Sequence, residues 1–210
     1  MSDATVGHKA FLNGLFPETQ WEKVTPDDFK LVCKRLRKAG PLGSAAAQYM
    51  EQRKTKLGFH KQYKSGAGWT LLNNITLTPG AKLNDPYTLC LITHEVFHLQ
   101  QSLQLRLSVR GELIAWQYQI RAYRELTGKD IGSAGQAYAG TKDRWMRIAK
   151  LSPDKRADLK TAQVTMKKIS PDYRSDCLPL FPLTAEVRDD LRQWRIGEAI
   201  GAIWGLVTCK

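Results

Sequence analysis

The stretch that most constrains this chain is Leu89 to Ser102, LCLITHEVFHLQQS, where two histidines and a carboxylate sit in an otherwise apolar run. His94, Glu95 and His98 spell H-E-x-x-H. On a helix, residues four apart lie one turn apart on the same face, so two imidazoles can meet one tetrahedral Zn²⁺. Glu95 falls about 100° round the helix from His94. That places a carboxylate beside the ion's open position, where it can take a proton from water. Two helix histidines can also be plain structural residues bonded to their neighbours. The helical wheel argues for a site: with His94 at 0°, Leu89, Ile92, Val96, Leu99 and Leu103 gather near about 180°. The predicted helix buries its back in a core and turns His94, Glu95 and His98 elsewhere.

A chain of 210 residues with 42% hydrophobic residues and six tryptophans can bury a proper core, which excludes a disordered chain. The expectation is one domain over 1–210, with an N-terminal helical part (1–68), a strand and two site helices (69–128) and a C-terminal helical part (129–210). Formal net charge is +12. Such charge either keeps the surface soluble or attracts an acidic partner. Nucleic acid remains possible as that partner, but no finger motif or aromatic RNA-binding signature supports it. Cys33, Cys90, Cys177 and Cys209 form no C-x-x-C pair, so neither a cysteine zinc knuckle nor a redox dithiol is expected. No apolar leader opens the chain, and the apolar, uncharged run Ala199 to Cys209 is too short to span a bilayer. A cytoplasmic protein without a membrane span follows as the expectation.

Along the chain, Thr25 with Pro26, Asp27 and Asp28 reads as a capped helix start that runs to Gly40, with Phe29, Val32, Cys33 and Leu36 as its buried stripe. A second helix is expected over Ala45 to Lys56. Trp69 to Thr78 reads as a hairpin turning at Asn73-Asn74, or as one edge strand. Asn84 or Asp85 with Pro86 starts the histidine helix. Ser108 to Gly111 breaks the pattern, and a further helix follows to Gly128. Gly132 to Gly140 reads as a loop or lid. Ser152-Pro153-Asp154 and Ser170-Pro171-Asp172 read as helix starts. Lys142 to Lys168 reads as a solvated basic face. Thr184, Val187, Leu191, Trp194, Ile200, Ile203 and Trp204 predict a C-terminal helix docked on the core. The fold class is α+β, mostly helical, with a small sheet or hairpin upstream of the H-E-x-x-H helix.

With Glu112 following, His94-Glu95-Val96-Phe97-His98 resembles the zincin metallopeptidases of the gluzincin branch, over roughly Trp69 to Gly128. The match extends to small bacterial and phage domains of that type. The resemblance implies a zincin-like fold, His94, His98 and Glu112 as ligands of Zn²⁺, and Glu95 as general base and acid. It implies a peptide or protein substrate laid along the upstream strand. It leaves the oxyanion-stabilising group open among Tyr118, Tyr123, Tyr138 and His60, with Tyr123 and Tyr138 preferred. Glu125 competes with Glu112 for the third position. Ala115, Trp116, Gln119, Tyr123 and Leu126 lie within about 60° of Glu112, a face suited to burial. Glu125 stands about 140° away, as if paired to exposed Arg121. The leading reading is a zinc metallopeptidase. The alternative is a non-catalytic or regulatory zinc-binding protein on the same scaffold, against which the intact Glu95 speaks.

Overall fold

The computed structural model describes residues 21–60, 67–70, 72–132, 142–169 and 178–192, with Gly197 and Ile200. These form β1 (Trp21–Lys23), α1 (Pro26–Ala39), α2 (Pro41–Gln52), β2 (Lys56–His60), β3 (Ala67–Trp69), β4 (Asn74–Leu77) and α3 (Pro86–Gln100). There follow α4 (Leu103–Arg106), α5 (Val109–Thr127), α6 (Lys142–Lys150), α7 (Arg156–Ile169) and α8 (Leu183–Arg192). The architecture is mostly helical with one small mixed sheet, α+β as expected. No helix among the described residues is long and apolar enough to cross a membrane.

The described residues divide into two compact units. One holds 21–100 with Tyr118–Ile131, the other Gln101–Gln117 with 132–192. Helix α5 is a single unbroken helix shared by both.

In the first unit the sheet order is β1-β2-β4-β3, with β2 and β4 parallel and both outer pairs antiparallel. A hairpin forms as expected, with Trp69 opposite Ile75, but it does not turn at Asn73-Asn74: Asn74 opens β4, and the Asn73 N–H closes on the Thr70 carbonyl at 3.2 Å with Asn73 at a left-handed φ of 59°. Two strands were not expected, β1 and the basic β2. Sheet pairing rather than helical propensity claims Lys56, so α2 ends earlier than expected; it also starts earlier, at Pro41. Lys54 at φ 52° turns the chain out of the helix, and the Thr55 N–H closes on the Met50 carbonyl at 2.8 Å. Gly58 has no side chain because the Trp21 indole lies 2.4 Å from where its Cβ would stand.

Helix α1 has its expected cap, with the Asp28 N–H donating to Thr25 Oγ1 at 3.2 Å, and its Val32, Cys33 and Leu36 are buried. They share a core with Ala46, Ala47 and Met50 of α2, Leu57 of β2, Ile75 and Leu77 of β4, and Leu89, Ile92, Val96 and Leu99 of α3. The expected back of the histidine helix is therefore its buried back. Leu103 is the exception: it belongs to α4 and is 48% exposed. Asp85 caps α3, accepting from the Thr88 N–H at 3.0 Å.

Glu125 is not the exposed partner of Arg121. Arg121 stands over the Tyr118 ring, and Glu125 accepts the Leu42 N–H at 3.0 Å. Gly40 offers α2 no side-chain cap, so a carboxylate from α5 supplies one at the positive end of the helix.

In the second unit, α6 buries Trp145 and Ile148, and α7 buries Leu159, Ala162, Thr165, Met166 and Ile169. Exposed Arg147, Lys150, Lys160 and Lys168 bear out the solvated basic face, but Arg156 does not belong to it. Arg156 is paired with Glu186, whose side chain is 8% exposed. Helix α7 starts later than Ser152-Pro153-Asp154 suggests, because Asp158 first ties back to the Ser152 N–H at 2.8 Å and makes that segment a turn. The C-terminal helix is present as α8, yet Leu191 and Ile200 are exposed. Trp194, Ile203, Trp204, Ser170-Pro171-Asp172 and the 133–140 loop lie outside the described residues.

We expect Glu125→Ala to destabilise the chain by about 1 kcal/mol, the worth of a helix cap, with Glu125→Gln costing less. Urea denaturation checks this; an unchanged midpoint would remove Glu125 from the cap of α2.

Candidate metal centre

The spacing of His94 and His98 on α3 puts their rings face to edge, with centroids 4.7 Å apart at 68°. Their Nε2 atoms are 3.1 Å apart. Two nitrogens bound to one tetrahedral zinc at about 2.0–2.1 Å would stand roughly 3.3 Å apart, so the pair fits one ion with little adjustment. His98 is 1% exposed, and the Trp69 ring of β3 lies 6.2 Å from it. Glu95 is also buried, with Oε1 4.0 Å from His94 Nε2.

Helix α5 brings the third donor. Within the first unit, its Tyr118 stacks on Phe97 of α3 with centroids 4.0 Å apart. Glu112 lies on the same helix, six residues ahead of Tyr118. Glu112 is buried, and its carboxylate joins His94 and His98 in a group whose ligand atoms all lie within 4.8 Å of one another. Among the described residues this is the one such group. Two imidazoles and one carboxylate suit zinc and leave a fourth position for water or substrate, as in hydrolytic rather than structural sites.

Ser108, not Gly111, is where α5 begins. Ser108 Oγ accepts the Gly111 N–H at 3.1 Å, and Gly111 lies in the first turn. A Cβ there would stand 1.9 Å from the Leu105 carbonyl oxygen, so the glycine permits a close approach of chain rather than a turn.

The other sequence candidates are placed elsewhere. Tyr123 shares the face of Glu112 but lies about three turns, or roughly 16 Å, along α5. Its phenol is pushed above its ordinary value by burial and then by the Cys90 thiol, with Asp85 a smaller cause, all near the start of α3. Tyr118 is occupied by Phe97 and Arg121. His60 pairs opposite Trp21 in the sheet, its pKa lowered by burial. Tyr138 lies outside the described residues. The structure thus brings together His94, His98 and Glu112 with Glu95 at their side. Trp69 and the Phe97–Tyr118 stack were not singled out from sequence; a ring contact between helices leaves no periodic signal.

Neither buried thiol joins the group. Burial, then the Glu51 carboxylate, pushes Cys33 up to about 11, and burial pushes Cys90 up further. A comparison with known protein families, curated proteins and solved structures finds no match for this chain.

Two outcomes follow. His94→Ala or His98→Ala should abolish stoichiometric zinc, and chelation should lower the melting temperature of the parent chain. At zinc a hundredfold above Kd, binding adds about 2.7 kcal/mol, or roughly 5–10 °C at this length. A melting curve indifferent to EDTA would leave the histidines as plain helix residues. Cys33 and Cys90 should resist alkylation at pH 8 in the native chain. The folded state keeps the Cys33 proton to a higher pH than the unfolded one, so its contribution to stability is full below about 9 and lost as pH rises toward about 11. Calorimetry across that interval checks the sign.

Proposed function

We propose that this chain is a zinc-dependent metallopeptidase of the zincin type, with His94, His98 and Glu112 as metal ligands and Glu95 as general base. The observation that carries the reading is the buried group of three donors with a separate buried carboxylate beside it. When bound, zinc would acidify a water and polarise a scissile carbonyl. Glu95 would accept the proton of the attacking water and return it to the leaving amine. It has the reach for this from its place next to His94.

The substrate class is a peptide or protein. Strand β3 ends the sheet order and lies on the side of His98, so an extended peptide added to that strand would pass the metal. The exposed cations of α6 and α7 would favour an acidic protein partner. A cytoplasmic setting is supported by the free, buried thiols of Cys33 and Cys90.

Zinc content measured together with cleavage of an unstructured protein tests the assignment. Glu95→Gln should keep about one zinc per chain and lose hydrolysis by at least about a hundredfold. Glu112→Ala should lose both zinc and hydrolysis, whereas Glu125→Ala should keep both. Zinc binding without cleavage in the parent chain would favour a non-catalytic zinc protein, and full activity in Glu95→Gln would end the peptidase mechanism.

A further inference from the structure

A short segment ahead of α8 is held at every residue from Leu178 to Phe181. Gln163 Nε2 donates to the Leu178 carbonyl at 3.3 Å. The Val109 N–H donates to the Pro179 carbonyl at 2.8 Å, and the Arg110 N–H to the Leu180 carbonyl at 2.9 Å. The Phe181 N–H donates to Glu186 Oε2 at 3.2 Å, and the other oxygen of Glu186 receives Arg156 Nη1 at 3.2 Å. Glu186 is 6% exposed, and the Arg156 guanidinium lies 5.6 Å from the centre of the Phe181 ring.

Val109 and Arg110 are the first two residues of α5, whose N–H groups find no acceptor within their own helix. The next two donors, of Gly111 and Glu112, go to Ser108. Half of the donors that open the ligand helix therefore depend on the 178–181 segment. Water is a poor substitute there, since Ser108 and Val109 are wholly buried. Glu112 stands in this same turn, and a metal tolerates only a few tenths of an ångström of error in its ligands.

We propose that the Arg156–Glu186 ion pair clamps the 178–181 segment onto the first turn of α5 and thereby positions Glu112 for metal binding. Arg156 and Glu186 are positioning residues. They touch neither metal nor substrate, yet set metal affinity through main-chain hydrogen bonds. The inference rests on Glu112 being the third ligand.

Zinc affinity of the full chain, read by competition with a chromogenic chelator, tests this in a double-mutant cycle. Glu186→Ala and Arg156→Met should each weaken zinc binding about tenfold. Glu186→Gln keeps an acceptor for the Phe181 N–H but loses the charge that pairs with Arg156, so its affinity should fall between the parent and Glu186→Ala. Glu112→Ala removes zinc at stoichiometric concentration, so that background is read at raised zinc, where His94 and His98 alone bind weakly; there the effects of Glu186→Ala and Arg156→Met should fall to about onefold, because the ligand they position is gone. An equal loss in both backgrounds, or no loss in the parent background, overturns the inference. Glu112→Ala with undiminished zinc affinity overturns the ligand assignment, and this inference with it. If Glu186→Ala does not fold by circular dichroism, the Arg156→Met arm decides the matter alone.

Discussion

Four polar side chains, His94, Glu95, His98 and Glu112, are buried together, and that is the constraint the rest of the structure answers to. Removing carboxylates and imidazoles from water costs several kcal/mol apiece unless charge or hydrogen bonds compensate. A divalent cation held by three of them would supply that compensation. Such a site needs a rigid frame, because an ion bound at about 2 Å cannot follow ligands that wander.

Helix α3 provides half of that frame by segregating its faces. Leu89, Ile92, Val96 and Leu99 pack with α1, α2 and the sheet, which fixes the rotation of the helix and so the direction of both imidazoles. Helix α5 provides the other half and is held at three levels. Its far end supplies Glu125 to cap α2, its middle rests on α3 through Tyr118 and Phe97, and its first turn is tied to the 178–181 segment. Glu112 stands in the first turn, in the same unit as the 178–181 segment.

The same helix shows why charged residues are hard to place from a linear pattern. Arg121 and Glu125 have ion-pair spacing, yet Glu125 is drawn away by the uncapped start of α2 and Arg121 by the Tyr118 ring. Arg156 reads as one more cation on a solvated helix, yet it is drawn to a buried carboxylate thirty positions away. In each case the competing partner is distant in the chain, so local spacing is silent about it.

By itself the sequence determined what depends on neighbours within a turn or two. This includes the capped start at Thr25, the hairpin around Asn73, the Asp85 cap, the apolar back of α3 and the shared face of His94 and His98. Helical and strand periods act over a few residues, and a side chain's face follows from its position alone. Tertiary structure decided the rest. It made Lys56 to His60 a strand by pairing it with β4, and started α2 at Pro41 with a carboxylate from α5 behind it. It closed the first turn of α5 with residues 179 and 180. Those outcomes turn on which distant groups meet in a dry interior, where an unmade hydrogen bond is costly and its partner can come from anywhere in the chain.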